Sequence, residues 1–396
     1  VMPTENFTSS VTFTDDLAQV PTMREGNKIY FYARGVNEYK YECPDYSTFQ
    51  TYESVVSNAY SNDSYYFLTD GVMEDVVEME VVETTQSDVD AAAVTYTTGT
   101  AYWNYKKNLV NIARSGKNFM GEDFATSCRL RFNVPVKGMA EGGSIYARAL
   151  TGLKVTATKM LTINVNDDIV GSTTFKNNSS SMYSAYLYQN CFVSGTKSYS
   201  GLALPENEQV EVSIGIDSGN ITTALLDYVS VAYTAENALP ADLSQARRRY
   251  KNDMASTALS VKDLTATTKI WLVNDATASK DCNYNYKVYT PLENGDGTGV
   301  IATKFKSTWA DFVYFDTAKE QMKPEYVENV INQNLHGLAA PTMLIITTDA
   351  LYEQAERIAD FHRTHDNMDV TVLRQKNIFN EFSSGVPGAM AYRRIC

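Results

Sequence analysis

Histidine, tryptophan and long apolar runs are scarce in this sequence, and each scarcity excludes a class of protein. Only three histidines and three tryptophans occur among 396 residues. No stretch approaches the ~20 consecutive apolar residues that a membrane-spanning helix needs. The first ten residues, VMPTENFTSS, also lack the basic start and the apolar run of a secretory signal peptide.

The cysteines are too few and too widely spaced for a zinc or thioredoxin-type site. No CxxC pair occurs, and an odd number of scattered thiols does not define a disulfide framework. One bridge is possible in an oxidising compartment, but the spacing does not say which pair would form it. Cys396 would be a poor nucleophile, because a terminal residue has no surrounding shell to orient its thiol. The cysteines are Cys43, Cys128, Cys191, Cys282 and Cys396.

Signatures of catalysis and metal binding are missing as well. No GxSxG, HExxH, P-loop or GxGxxG occurs in a supporting context. His362 and His365 could hold a metal if Asp366 or Asp369 supplied a third ligand. The competing interpretation is that His362 continues an apolar helix face and His365 suits the negative helix end. We expect His336 to be a packing or linker residue, and we predict no catalytic, cofactor-binding or metal-ligating residue.

Tyrosine and acidic residues are abundant instead. The 27 tyrosines, together with frequent Thr, Val and Ser, favour strands over helices and predict a mostly β protein. The net charge of −13 lies in residues 1–105, where 17 Asp and Glu face 4 Lys and Arg. This excess excludes nucleic acid as a partner, because nucleic acid needs a basic face. The acidic front indicates either a solvated surface or calcium binding and repulsion from an anionic cell surface.

Residues 106–235 predict a β-sandwich of the jelly-roll, galactose-binding-like type. Apolar residues alternate with polar ones, as they do in strands with one buried face. Turn clusters at 137–143 and 176–181 separate these segments. The alternating apolar sets are Leu130, Phe132 and Val134; Leu161, Ile163 and Val165; Val210, Val212, Ile214 and Ile216; and Val229, Val231 and Tyr233.

The flanking segments also predict strands. Residues 1–105 form an N-terminal β-domain, which we expect to continue with residues 236–325 after the sandwich; residues 236–340 hold strands and a linker. Strands are predicted at Lys28–Ala33, Tyr65–Thr69 and, as a charged edge strand, Val76–Val82. Residues 87–101 are small and polar, which favours a linker or hairpin loop.

Two short motifs allow opposing interpretations. Arg247–Arg249 lies in a segment that could be a solvated connector, a patch that binds anions or lipid headgroups, or a protease-sensitive site. Glu293–Gly299 invites a calcium loop, but position twelve counted from Asn294 is Phe305, which offers no side-chain oxygen. A glycine-rich hairpin turn is therefore favoured, and Asn166–Asp168 likewise predicts a turn.

The last segment, residues 341–396, predicts the first βαβα elements of an α/β doubly wound domain. Met343–Thr347 is short, apolar and rich in β-branched residues, as a buried parallel strand is. Leu351, Ala355, Ile358 and Ala359 then follow one helix face. A second strand is predicted at Val370–Leu373, and a short helix follows around Ile378–Phe382. Because two strands and two helices cannot bury a full core, they must dock on the β-domains or expose apolar surface.

Several of these segments together resemble the gingipain family of cysteine endopeptidases, and within it the sortase-type peptidases of the type IX secretion system. The resemblance is carried by NIFNEFSSGVPGAMAYRR (377–394), REGNKIYFYA (24–33), YYFLTD (65–70), KNLVNIARSGKNFMGED (107–123) and NQNLHGL (332–338).

This resemblance implies a peptidase that removes C-terminal sorting domains from secreted cargo, outside the cytoplasm. It also implies a secretion signal that was removed or lies outside this sequence. The family's Cys nucleophile and His partner lie beyond the first α/β strands, and nothing here matches them. We therefore expect the incomplete peptidase domain to be inactive alone. The β-domains would support it and contact cargo or other secretion components.

Two other functions are compatible with the residues. The jelly roll could bind carbohydrate, with Tyr183, Tyr186, Tyr188 and Tyr199 as candidate aromatic platforms, although tyrosine is so common that core packing explains them equally. The chain could also be an adhesion or assembly protein of the cell envelope.

Overall fold

The fold is known from a computed structural model that describes most of the chain. The described residues are 19–35, 37–42, 51–57, 60–69, 76–112, 114, 119–177, 188–251, 256–274, 286–304 and 309–396. Within them, no helix is long and apolar enough to cross a membrane.

Strands dominate the chain up to residue 316, so the predicted mostly-β class is confirmed. The first elements are β1 (Thr22–Glu25), β2 (Lys28–Phe31), β3 (Asn37–Glu42), β4 (Thr51–Ser57), β5 (Glu80–Glu83), helix α1 (Gln86–Asp90), β6 (Val94–Tyr96) and β7 (Thr98–Lys106). Next come β8 (Arg129–Pro135), β9 (Ser144–Val155), β10 (Lys159–Val165), β11 (Asp168–Phe175), β12 (Gln189–Ser198), β13 (Gln209–Ile216) and β14 (Ile221–Glu236). The third group is β15 (Gln245–Lys251), β16 (Thr257–Val261), β17 (Thr268–Asn274), β18 (Lys287–Thr290), β19 (Leu292–Glu293), β20 (Gly299–Thr303) and β21 (Trp309–Asp316).

One nine-stranded sheet runs through this β-rich part, in the order β12-β9-β14-β7-β15-β21-β17-β18-β5. A four-stranded sheet, β11-β10-β13-β8, packs on the β12 end and closes the sandwich core. A second four-stranded sheet, β19-β20-β16-β6, packs on the β15–β18 part. Strands β5 and β6 therefore pair with strands that lie some 160 or more residues later, and β7 spans the predicted boundary at residue 105. The domain boundaries themselves stay a prediction.

The sandwich follows the alternation of its sequence. Every second residue of β10 and β13 is buried between the sheets, as predicted. At one side the two sheets meet backbone to backbone, since a Cβ added to Gly171 of β11 would lie 2.0 Å from the Ser194 carbonyl oxygen of β12. Glycine is therefore required there. The predicted turn at Asn166–Asp168 is also present, with Asn166 at a φ of 54°.

Two predictions for residues 60–101 are wrong. Tyr65–Thr69 is not a strand; its backbone joins no sheet, and Tyr66 is fixed by its side chain, which packs on Phe31 and hydrogen-bonds the Arg34 backbone. Residues 87–101 are not a linker. They hold most of α1, which a capping box at Thr85 and Asp88 starts, and then β6 and the beginning of β7. The small polar residues are compatible with β6 and β7 because each of these strands has a half-exposed face.

Both interpretations of Arg247–Arg249 are wrong, because the segment is the central strand β15. Arg249 is 5% exposed and donates to both oxygens of Asp311, from Nε at 2.7 Å and from Nη2 at 2.6 Å. Arg247 adds a third bond at 2.8 Å. Arg248, on the other face of the strand, is 2% exposed and donates to the backbone oxygens of Glu236 and Ala238. Arg248 and Arg249 are thus buried, and the exposed Arg247 is paired with Asp311, so these three arginines do not form an open anion-binding patch.

Glycine-rich residues 294–298 form the predicted hairpin turn between β19 and β20. The Asp296 side chain accepts hydrogen bonds from the Thr298 backbone N–H at 3.0 Å and from its hydroxyl at 2.6 Å. One oxygen of this carboxylate therefore serves the turn.

The C-terminal elements are β22 (Met343–Thr347), α2 (Tyr352–His365), β23 (Val370–Arg374), α3 (Gln375–Phe382) and α4 (Ala389–Ile395). A connector without regular structure, residues 317–342, joins them to β21. Lys319 and Gln321 tie the start of the connector to the backbone of residues 241–244.

Candidate functional site: the C-terminal α/β unit

The C-terminal unit has three layers around a parallel strand pair. Strands β22 and β23 pair in register from Met343–Val370 to Thr347–Arg374. Since side chains alternate along a strand, Met343 and Ile345 face α2 on one side. Leu344 and Ile346 face α3 and α4 on the other side. The predicted strand–helix–strand–helix order is thus present, with helices on both sheet faces.

The carboxyl ends of both strands meet at one edge of this unit, which is where doubly wound sheets place their ligands. Asp349 follows β22, and its carboxylate pairs with Arg374 at the end of β23 at 3.1 Å. The Arg374 guanidinium also lies over the Tyr352 ring, 4.0 Å from its centroid. The edge therefore offers a positioned cation and a carboxylate.

Glu381 of α3 binds the end of the connector. Its Oε1 accepts from the His336 backbone N–H and pairs with His336 Nδ1, both at 2.8 Å. Its Oε2 accepts from Gln333 Nε2 at 2.9 Å. Burial alone would raise the pKa of Glu381, but these hydrogen bonds outweigh burial and lower it. The His336 ring also packs on Phe382, with centroids 4.4 Å apart, so His336 packs the connector onto α3, as predicted for a packing residue.

His362 and His365 meet at one carboxylate at the end of α2. His362 Nδ1 lies 2.6 Å from Asp366 Oδ2, and His365 Nδ1 lies 2.7 Å from Asp366 Oδ1. Hydrogen bonds from His365 and then from His362 lower the pKa of Asp366. Among the described residues, no three His, Cys, Asp or Glu side chains are grouped as a metal site would require. Both rings therefore lie at the end of α2 beside a carboxylate, as the helix-end interpretation has it for His365. His362 does not continue a buried apolar face, because Ile358, four residues earlier, is 52% exposed.

The described cysteines differ in environment. Cys191 is buried in the sandwich, and burial raises its pKa to about 11, so it is a core residue. Cys128 is half-buried and donates to the carbonyl oxygens of Ala125 and Thr126. Cys396 is exposed after α4. None of these three thiols pairs with an imidazole, and Cys43 and Cys282 lie outside the described residues.

The two described tyrosines among the proposed sugar platforms lie in different environments. Tyr199 is 4% exposed and belongs to the sandwich core, so its assignment to a platform is wrong. Tyr188 is half-buried over Gly152. Tyr183 and Tyr186 lie outside the described residues.

The α/β unit contacts the β-rich part through the irregular segment 64–69. Gly385, between α3 and α4, lies against Tyr65 and Phe67: a Cβ there would be 3.2 Å from Tyr65 Cβ. Tyr66, between these two, points the other way into the core of Trp271 and Phe315. No periodic pattern marks this wedge of Tyr65 and Phe67, because three aromatic residues in a row fit neither a helix nor a strand period. Glu381 was missed too, although a carboxylate between the apolar Ile378 and Phe382 was a usable signal.

Comparisons with known proteins agree with this arrangement. Residues 336–396 match the model of Peptidase family C25. The whole fold matches dimeric latent PorU from Porphyromonas gingivalis, with a TM-score of 0.79, 22% identity and 99% of this chain covered. The chain spans 35% of the length of that protein. The resemblance to gingipain-type peptidases expected from the sequence is confirmed, and the fold is like that of PorU.

Two other structural matches have low TM-scores. The xylanase 10B CBM22-1–GH10 structure from Clostridium thermocellum gives a TM-score of 0.19 at 11% identity, over 39% of this chain and 30% of that one. The Tobacco streak virus coat protein gives 0.18 at 16% identity, over 37% of this chain and 90% of that one. No curated protein matches the sequence.

Proposed function

We propose, from the PorU-like fold and the C-terminal match to Peptidase family C25, that these residues are the non-catalytic N-terminal region of a cysteine endopeptidase. The peptidase is a sortase of the type IX secretion system, and it acts outside the cytoplasm, in the periplasm or at the cell surface. The single observation that carries the proposal is the fold match over 99% of the chain, which includes the α/β unit that matches the family model.

The contacts of the α/β unit support a scaffolding role. The unit is tied to the β-rich part at two places, the connector with its Glu381 contacts and the wedge of Tyr65 and Phe67. Such ties orient the carboxyl edge of β22 and β23 relative to the sandwich. We infer that the β-rich part supports the peptidase domain and contacts the secreted cargo.

The test is an assay of this chain on a peptide that ends in a sorting domain. We expect no cleavage, because the described cysteines lack an imidazole partner that would hold a thiolate. Fluorescence anisotropy on the same peptide should show saturable binding, with a scrambled sorting domain as control. Cleavage that iodoacetamide abolishes would contradict the non-catalytic assignment. Equal binding of the scrambled peptide would contradict only the proposed contact with cargo and would leave the non-catalytic assignment intact.

A further inference from the structure

The outer face of the sandwich part of the nine-stranded sheet carries polar and aromatic side chains in cross-strand rows. Strands β7 and β9 flank β14, and their apolar residues point inward to the sandwich core. The alternate residues therefore lie on the outer face. The first row is Asn104, Ser230 and Arg148, and the second is Tyr102, Ala232 and Tyr146.

Two donor groups in the first row have no acceptor among the described residues. The Arg148 guanidinium makes no hydrogen bond or ion pair there, and it lies over the Phe192 ring, 4.6 Å from the centroid. Asn104 Oδ1 accepts from Ser230 Oγ at 2.7 Å, and both N–H groups of the Asn104 amide have no acceptor among the described residues. Both side chains are half-buried. The buried arginines of β15, by contrast, have their acceptors within the protein.

The spacing of these donors suits an elongated ligand. Neighbouring strands lie about 4.8 Å apart, so Arg148 and Asn104 are separated by roughly 10 Å across β14. Between them Ser230 and Ala232 are small and only 3% and 2% exposed, so solvent scarcely reaches β14 between the two donors. A ligand would therefore rest on the Arg148 and Asn104 side chains and not on the strand itself.

An exposed aromatic ring adjoins the Arg148 end. Phe192 of β12 is 44% exposed. Arg148 covers part of it and leaves apolar ring surface to solvent. Aromatic faces of this kind pack against the C–H groups of sugar rings, and a guanidinium binds a carboxylate through two parallel hydrogen bonds.

We propose that this outer face binds a saccharide that carries a carboxylate, as uronic acids do. Arg148 takes the carboxylate, Asn104 donates to a hydroxyl oxygen of the next sugar, and Phe192 packs on the ring bearing the acid. A neutral sugar would leave the guanidinium uncompensated. An acidic peptide would lack its usual backbone pairing, because peptides pair with sheet edges and this surface is the face of inner strands. The site is independent of the proposed peptidase role, so either can fail alone.

The experiment is calorimetric titration of the full chain with trigalacturonate at low ionic strength. We expect saturable binding, and we expect Arg148→Ala and Phe192→Ala each to weaken it at least tenfold. Arg148→Lys should weaken binding less than Arg148→Ala does, but the affinity should stay below that of the wild type, because an ammonium cannot bind bidentately. Arg129→Ala is the matched control, since Arg129 is an exposed arginine on β8 of the opposite sheet. Unchanged urea midpoints of the variants show that the fold is intact.

Other outcomes would overturn the site. Equal affinity for maltotriose would remove the role of the carboxylate. Equal affinity for triglutamate would assign the surface to acidic peptides instead. A loss in Arg129→Ala as large as in Arg148→Ala would show only general charge attraction, and no saturable binding would show that no such site exists.

Discussion

At the scale of single residues, the buried ion pair of Asp311 decides whether β15 can lie inside the sheet. Asp311 is 1% exposed, and its partner Arg249 is 5% exposed. Burial alone would raise the pKa of Asp311, but the charges of Arg247 and Arg249 and their hydrogen bonds hold it far below its usual range. Removing one partner of a buried pair leaves the other charge unsolvated, which costs about 3–5 kcal/mol. We therefore expect Asp311→Asn to lower the free energy of unfolding by about 3 kcal/mol at pH 7.

The pH dependence gives this prediction its sign. A carboxylate whose pKa is depressed in the folded state stabilises the fold above its unfolded pKa of about 3.9 and loses that contribution as the pH falls further. The difference between wild type and Asp311→Asn in urea unfolding should therefore shrink below about pH 4. Glu320→Gln, in the exposed pair with Lys323, is the control and should change stability by less than about 0.5 kcal/mol. Equal effects of the two substitutions would refute the assignment.

At the scale of elements, a close backbone approach between the two sandwich sheets fixes how β11 and β12 cross. A Cβ on Gly195 would lie 1.9 Å from the Val170 carbonyl oxygen, so any side chain must push two backbones apart. Overpacking typically costs about 1–3 kcal/mol and more where backbone must move. We expect Gly195→Ala to lower the unfolding free energy by at least about 2 kcal/mol. Gly35→Ala is the control, because no atom lies within 4 Å of the added Cβ, and its unfolding free energy should lie within about 0.5 kcal/mol of the wild-type value. Equal unfolding midpoints for the two variants would contradict the close crossing of β11 and β12.

Elements were predictable from the sequence where one face is buried and the other is not. The alternation along β10 and β13 identified both strands, because a two-residue period follows directly from the pleat. The strand prediction for Tyr65–Thr69 was wrong because it rested on composition alone, whereas the segment is held by side-chain packing on both sides. The interpretations of Arg247–Arg249 were wrong because the acceptor Asp311 lies 62 residues away from Arg249. Sequence periodicity holds no information on such distant partners. Sequence periodicity could not identify Arg148 either, because its proposed role depends on the absence of an acceptor for its guanidinium among the described residues.

At the scale of the whole molecule, the wedge of Tyr65 and Phe67 determines whether the α/β unit stays docked once its connector is cut. The connector exposes Tyr326 to 76%, so chymotrypsin can cleave there while the rest is folded. In the wild type we expect the released C-terminal fragment to co-elute with the β-rich part on gel filtration. In Tyr65→Ala/Phe67→Ala, lost aromatic contacts of about 1.5 kcal/mol each should weaken this association by roughly a hundredfold, and the fragments should separate. Leu68→Ala is the control, because Leu68 is 97% exposed between the same residues. Co-elution that survives the double substitution would mean that the connector and its Glu381 contacts hold the unit by themselves. The aromatic wedge would then have no part in orienting the carboxyl edge of β22 and β23.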